Sequence, residues 1–404
     1  MSSDQNASKV RFDKEFTKQN PLPQEAVDRA MELLQSGRLH RYNVSNPEES
    51  DAALLEKEFA AYTGSRFCLG VSSCGSSLYI ALKAAEVQPG DLVISNAFTL
   101  APVPGAIHNA GAKPLFVECD NNLTIDIQDL ERKAKSSRAR YFLISYMRGH
   151  IPNMDRIMDI CARYDLYLIE DCAHTMGAKW RDTFTGRFGQ IGCFSTQTYK
   201  HINSGEGGLL ITDDEDIIAR SILYSGSYML YDKHISRPPL DVFEKYKKKI
   251  PNFSLRMSNL TGALLRPQLE NLDSDVFKWN QRYRTIENEL RNHPHIKLIE
   301  RHEHEHFVGS SFQFLLTGLQ PAMYEEFLNA CSRRGVEIKW FGWSEPKGYT
   351  SKFDSWEFLD LADQLPKTHE TLNATFDFRI PLSFTLDDCQ RLGLIIRDVV
   401  DELI

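Results

Sequence analysis

The sequence predicts an α/β protein with a mostly parallel central sheet, followed by a smaller α+β domain. In the first half, helical segments alternate with near-continuous apolar runs such as LVIS, LFVE, YFLIS and LYLIE. Such runs are typical of strands that helices cover on both faces. After about residue 255 this alternation gives way to a long helical stretch with fewer strands, and 404 residues are enough for two or three domains. We therefore predict a large domain at 1–257 and a small C-terminal domain at 258–404.

Each element follows from its periodicity and its end signals. Residues 24–36 have the apolar spacing of an amphipathic helix, and Gly37 is a natural stop. Further helices are predicted at 51–62, 76–86, 126–135, 153–164, 258–292, 321–334 and 385–402, and strands at 67–71, 91–95, 114–118, 140–145, 166–170, 208–212, 296–300 and 311–317.

Composition excludes several classes of protein. A formal net charge of −8 argues against a nucleic-acid partner, which usually needs a basic face. No stretch approaches the ~20 apolar residues of a membrane helix. The polar N-terminus, MSSDQNASKV, lacks the apolar core of a signal peptide. The eight cysteines form no CxxC pair, which suits reduced thiols. We expect a cytoplasmic protein that binds neither nucleic acid nor membrane.

Two side chains with catalytic potential lie between residues 169 and 208. Asp171 ends an apolar strand, and ligands of open α/β sheets bind beyond the carboxyl ends of strands. Lys200 lies between FSTQTY and a glycine-rich turn, where burial would lower its pKa and make its amine a nucleophile. Taken singly, Asp171 could be a helix cap, and Lys200 could be an ordinary surface lysine.

A third element lies upstream in the segment SSCGSS, residues 72–77, between a predicted strand and helix. Gly75 and Ser76 could cradle a phosphate at the helix N-terminus, although a serine N-cap would give the same pattern. Together the three elements fit pyridoxal 5'-phosphate (PLP). This cofactor needs a lysine for its aldehyde, a carboxylate for its ring nitrogen and a phosphate site.

The order and spacing of three segments extend this fit. With IEDCAHTMGA, FSTQTYKHINSGEGG and PNFSLRMSNLTGALLRPQL, the chain resembles the DegT/DnrJ/EryC1/StrS family of PLP-dependent aminotransferases from about residue 20 to the C-terminus. The resemblance implies the type I aminotransferase fold and a homodimer with shared active sites. It also implies glutamate or glutamine as amino donor and a keto-sugar as acceptor, in particular a nucleotide-linked keto-deoxysugar in amino-sugar biosynthesis.

The resemblance assigns roles by position. It makes Lys200 the Schiff-base lysine and Asp171 the partner of the ring nitrogen, while Ser195 binds the phosphate with Gly75 and Ser76. Family members with histidine in place of the lysine act as sugar dehydratases, so the lysine favours transamination.

Further cofactor contacts are implied at three positions. His174 occupies the place near the phenolic oxygen where family members often have glutamine. Asn252 matches the asparagine that reaches the phosphate of the neighbouring subunit, although its segment is one residue longer than the common NYRM. Leu100 replaces the usual aromatic residue that stacks on the ring, so Leu100, Phe98 or His174 covers the ring instead.

Substrate contacts are predicted in the segment 145–150. Here SYMRGH replaces the usual VHxxGQ, and Tyr146, Arg148 and His150 become candidate substrate residues. The planar guanidinium of Arg148 suits a carboxylate or phosphate, although an ion pair within the protein is equally consistent.

Other functions are also consistent with the sequence. The acceptor could be an oxidised acidic sugar or a cyclitol ketone, and the protein could bind PLP in a regulatory role without turnover. The run HEHEH at 302–306 could bring three imidazoles together at a metal ion, as in a metal-binding interaction protein. No fourth ligand is evident, however, so we expect no metal site.

Overall fold

The computed structural model describes residues 10–347, 352–360 and 364–404. The first nine residues of the predicted large domain, which make up most of the polar N-terminal segment, lie outside the described residues. The helices are α1 Gln24–Ser36, α2 Asp51–Thr63, α3 Cys74–Ala84, α4 Pro102–Asn109, α5 Ile127–Ser136, α6 Met154–Tyr164, α7 Glu215–Ser225, α8 Leu240–Glu244, α9 Asn259–Leu290, α10 Tyr324–Arg333, α11 Pro366–Asn373 and α12 Leu386–Leu403. The strands are β1 Phe67–Val71, β2 Leu92–Asn96, β3 Lys113–Val117, β4 Tyr141–Ser145, β5 Tyr167–Asp171, β6 Lys179–Trp180, β7 Thr183–Phe184, β8 Ile191–Ser195, β9 Gly208–Thr212, β10 Ile296–Leu298, β11 Glu305–His306, β12 Ser311–Leu316, β13 Lys339–Trp340 and β14 Thr375–Arg379.

A central sheet contains seven of the described strands, in the order β1-β9-β8-β5-β4-β2-β3. Its pairings are parallel from β8 through β3, and β9 runs antiparallel to its neighbours β1 and β8. Every residue of β1, β8 and β9 is buried. The predicted α/β fold with a mostly parallel sheet is confirmed.

Alternation along the strands separates the two faces of this sheet. Phe142 and Ile144 of β4 pack into a core shared with α2, α6 and α9. Leu143 of β4 and Ile169 of β5 pack on the opposite face, in a core shared with α3, α4 and α7. Because side chains of a strand alternate with period two, Ser145 and Asp171 belong to the α3 face.

A second, antiparallel sheet has the order β10-β12-β14-β13. Its core includes residues of α9, α10 and α12. Phe12 and Phe16 of the N-terminal segment pack in the same core. The N-terminal segment, which we placed with the large domain, therefore contacts the second sheet, and the limits of the two domains stay a prediction. None of the helices in the described part of the chain is both long and apolar enough to span a membrane.

Candidate active site

Three neighbouring parallel strands end in polar residues at one edge of the central sheet. Ser145 ends β4, Asp171 ends β5 and Ser195 ends β8, and all three are buried. Asp171 accepts hydrogen bonds from Ser145 Oγ at 2.7 Å and from the Ala173 amide at 3.1 Å. Burial raises the pKa of Asp171 above its ordinary value, although the Ser145 hydrogen bond acts against this shift. A buried carboxylate of this kind favours a cationic partner, such as a protonated ring nitrogen.

A chain of hydroxyl groups orients Asp171. Thr99 Oγ1 donates to Ser145 Oγ at 2.8 Å, which leaves the Ser145 hydroxyl to donate to Asp171. The Ser145 backbone is held on both sides by the amide of Asn96, at 2.8 and 3.0 Å. Neither Ser145 nor Thr99 was predicted for this role from the sequence. For Ser145, the feature of the sequence that indicates this role is its position at the end of β4, on the same sheet edge as Asp171.

Lys200 faces Asp171 from the loop after β8. Its Nζ lies 2.8 Å from His174 Nε2. Burial and then the charge of Lys200 hold the pKa of His174 well below its ordinary value, so the neutral imidazole accepts this hydrogen bond. Burial, assisted by the Arg148 guanidinium, lowers the pKa of Lys200 to about 8. The loop therefore presents an amine that is easily deprotonated, as a nucleophile requires.

This lowered pKa predicts how cofactor uptake depends on pH. Only the neutral amine attacks an aldehyde, so the rate at which apo-protein captures PLP should rise with pH around a midpoint near 8. Arg148→Gln should move the midpoint upwards, because the Arg148 charge lowers the pKa of Lys200. The measurement is the rate at which visible absorption appears after mixing, across a pH series. A midpoint near the ordinary lysine pKa in the wild-type protein would contradict this assignment.

The N-terminus of α3 closes the site opposite the strand ends. Ser73 caps the helix by accepting a hydrogen bond from the Ser76 amide at 3.0 Å. Gly208, the first residue of β9, approaches so closely that a Cβ there would lie 2.4 Å from the Ser73 carbonyl carbon. The glycine-rich turn thus packs the Lys200 loop against the α3 N-terminus. Free amide groups at a helix N-terminus suit a phosphate.

Two adjoining cavities meet at Lys200 in the described structure. The inner cavity has a volume of about 320 Å³ and the outer one about 410 Å³. Residues common to both are Arg148, His174, Tyr199, Lys200 and Arg379. The inner cavity is also lined by Ser73, Cys74, Gly75, Leu100, Asp171 and Ser195. A nucleophilic amine, a buried carboxylate and a helix N-terminus around one cavity form a donor set that fits PLP.

Most of the predicted cofactor residues therefore lie together. Gly75, Leu100, His174 and Ser195 line the inner cavity with Asp171 and Lys200. Ser76 does not line it, because its hydroxyl contacts those of Ser72 and Ser73 at 3.0 and 2.8 Å.

Asn252 lies away from both cavities of its own chain. Its Oδ1 accepts a hydrogen bond from the Ser254 amide at 2.7 Å. A role toward a second subunit stays a prediction.

Two predicted substrate residues do not reach the cavities. Tyr146 is buried on the opposite sheet face, where its hydroxyl donates to Glu170 at 2.7 Å. His150 is buried with its Nε2 2.8 Å from Gln313 Oε1. The placement of Tyr146 follows from strand alternation, because it continues the face of Ile144 rather than that of Ser145.

Arg148 does reach the cavities, in an unusual backbone conformation. Its φ of 57° lies in the left-handed region, which costs a non-glycine residue free energy and is frequent at functional sites. Its Nη2 lies 2.6 Å from Asp377 Oδ2 of the second sheet. Arg379, at the end of β14, stacks its guanidinium 3.7 Å above the Tyr199 ring. Arg379 was absent from our sequence-based candidates.

The side chains of the HEHEH run contact neighbouring residues. The rings of His302 and His304 pack on Trp180, with centroids 4.5 and 5.8 Å from its own. Glu305 forms an ion pair with Arg301 at 2.6 Å. Across the residues that the structure describes, no three His, Cys, Asp or Glu side chains are grouped so that they could hold a metal ion.

Comparison with known proteins shows the family to which the chain belongs. The model of the DegT/DnrJ/EryC1/StrS aminotransferase family matches residues 23–396. The spore coat polysaccharide biosynthesis protein SpsC of Bacillus subtilis (strain 168) is 31% identical over 256 residues, which cover 62% of this chain and 63% of SpsC. GDP-perosamine synthase of Escherichia coli O157:H7 is 29% identical over 236 residues, which cover 56% of this chain and 62% of the synthase. The chain thus spans less than two thirds of these relatives' length.

The fold has close counterparts among solved structures. A GDP-4-keto-6-deoxymannose-3-dehydratase with a trapped PLP-glutamate geminal diamine superimposes with a TM-score of 0.80 at 20% identity. The match covers 95% of this chain and 100% of that one. At this level of identity, the likeness shows the fold.

Proposed function

Because the chain belongs to the DegT/DnrJ/EryC1/StrS aminotransferase family, we propose that it is a PLP-dependent aminotransferase. It transfers an amino group from L-glutamate or L-glutamine to a keto-sugar. The observation that carries this proposal is the inner cavity, which places Lys200 and Asp171 together at the N-terminus of α3. A structural neighbour with a trapped PLP-glutamate adduct supports the choice of cofactor and donor.

The side chains have distinct roles in this proposal. When bound, PLP supplies an aldehyde that condenses with amines and a ring that stabilises a neighbouring carbanion. Lys200 Nζ would hold the aldehyde carbon, and after displacement by a substrate amine it would move a proton as base and then as acid. Asp171 would keep a proton on the ring nitrogen, and the Thr99–Ser145 hydroxyl chain would hold Asp171 in place.

The reaction exchanges an amino group for a carbonyl oxygen without net oxidation. The donor leaves as a 2-oxo acid and the acceptor leaves as an amine. The names of the relatives, a polysaccharide biosynthesis protein and GDP-perosamine synthase, support a sugar acceptor, and we propose a nucleotide-linked keto-deoxysugar. We further propose a homodimer with shared active sites, because Asn252 lies outside the cavities of its own chain.

The test follows the two half-reactions one after the other. L-Glutamate or L-glutamine added to the PLP-loaded protein should remove the cofactor's visible absorption and release one equivalent of 2-oxo acid per site. A keto-sugar acceptor should then restore the absorption. Stable absorption with both donors, and no 2-oxo acid, would instead identify a PLP-binding protein without turnover.

A further inference from the structure

We propose that Arg379 and Arg148 bind a carboxylate on the acceptor, so that the acceptor is an acidic sugar rather than a neutral one. This inference rests on the proposed function and specifies its substrate. Both arginines line the inner and the outer cavity beside Lys200. Any acceptor whose carbonyl reaches Lys200 from the outer cavity must therefore pass next to both guanidinium groups.

The two guanidinium groups are held by different contacts. Arg148 is fixed by Asp377, whose other carboxylate oxygen accepts a hydrogen bond from Gln313 Nε2 at 2.7 Å. Arg379 rests on the face of Tyr199, and in the described part of the chain it forms no ion pair with a carboxylate. Among the described residues, the buried Nε of Arg148 has no hydrogen-bond partner. Both arginines therefore have hydrogen-bonding capacity left for a ligand.

A lysine and an aspartate of the second sheet lie near this pair of arginines. Lys339 of β13 lies opposite Asp377 of β14 in the second sheet. Burial and then the Arg148 charge lower the pKa of Lys339 to about 8. Burial and Arg148 also lower the pKa of Arg379, a sign of crowded cations. Among the described residues, Asp377 thus lies close to both guanidinium groups that line the cavities.

A sugar unit without a charge of its own would offer these two guanidinium groups no countercharge. In a transamination cycle the donor and the acceptor occupy the same site in turn. The carboxylates of glutamate would neutralise the arginines in the first half-reaction. An uncharged sugar in the second would exclude water from them and offer no countercharge, which is costly for buried charges. An acceptor with its own carboxylate removes this penalty, and the planar fork of arginine matches that group.

The experiment compares ligands that differ only in one carboxylate. Binding of D-glucuronate and D-glucose, and of UDP-glucuronate and UDP-glucose, is measured by calorimetry on the PLP-loaded protein. In the wild-type protein we expect the acid to bind at least about tenfold more tightly than its neutral analogue in whichever pair binds. Arg379→Gln should abolish this preference. Arg379→Lys, which keeps the charge without the fork, should retain part of it. Arg181→Gln is the matched control, because Arg181 is half-exposed and pairs with Asp155 at 2.9 Å outside both cavities.

The outcomes separate this inference from the proposed function. Equal or undetectable binding of acid and neutral sugar in the wild-type protein would overturn the inference, as would a preference that survives Arg379→Gln. A parallel titration with L-glutamate identifies the source of the carboxylate. If Arg379→Gln weakens glutamate alone, the arginine serves the donor and the acidic acceptor is excluded. Failure of the proposed function appears separately, as unchanged visible absorption of the wild-type protein with either donor.

Discussion

Lys200→Ala is expected to lower transamination turnover by about 10³- to 10⁴-fold, because it removes both the amine that holds the cofactor and the group that moves the proton. No other described lysine lines the inner cavity, so no second amine is placed to substitute for it. The measurement is 2-oxo acid release from L-glutamate under single-turnover conditions.

A matched control distinguishes this effect from a general loss of positive charge. Lys245→Ala removes an exposed lysine that pairs with Asp216 at 3.1 Å, and it should behave like the wild-type protein. Borohydride reduction followed by mass spectrometry should attach PLP at Lys200 in the wild-type protein and nowhere in Lys200→Ala. Attachment at another lysine, with turnover intact, would rule out the assignment of Lys200.

Asp171→Asn is expected to lower turnover by about 10²- to 10³-fold. Removing one partner of a buried charge pair typically costs about 2–5 kcal/mol, and each 1.4 kcal/mol is about a factor of ten. The amide has nearly the same shape and can still accept a hydrogen bond from Ser145 Oγ, so the fold should persist. It cannot, however, serve as the anion that keeps a proton on the ring nitrogen.

The readouts for Asp171→Asn are single-turnover rate, PLP affinity and the circular dichroism of the folded protein. Asp155→Asn serves as control, because Asp155 is half-exposed and pairs with Arg181. A wild-type rate in Asp171→Asn would show that the carboxylate is a structural cap, which was the alternative interpretation of its position in the sequence.

The sequence predicted the central sheet well because its strands are buried on both faces. The predicted strands 67–71 and 208–212 coincide with β1 and β9. Helix α4 was not predicted. It contains Pro102 and Pro104, and proline is tolerated in the first helical turn because the amides there have no hydrogen-bond partner within the helix. Strand β8 was not predicted either. Its Gly192 has no side chain, which makes room for the backbone of Gly186.

The cofactor residues were predictable because each follows a recognisable local signal, such as a strand end, a glycine-rich turn or a helix start. The substrate-binding residues were harder to predict from the sequence. Arg379 comes from β14, a strand that was not predicted, and only tertiary packing brings it to Lys200. Tyr146 and His150 were grouped with Arg148 by proximity in sequence, but strand alternation and the left-handed turn at Arg148 separate them.

Glu170 and Asp171, the last two residues of β5, point to opposite faces of the sheet and have different partners. Glu170 points to the face opposite Asp171, where the amides of Gly186, Phe188 and Gly189 donate to it at 2.7, 2.8 and 2.6 Å. Inserting or deleting one residue in β5 would exchange the faces of the two carboxylates. Glu170 would then point toward the inner cavity, and Asp171 would point toward the loop 186–189. We therefore expect that a one-residue change in the length of β5 disrupts both the contacts of Asp171 and those of Glu170.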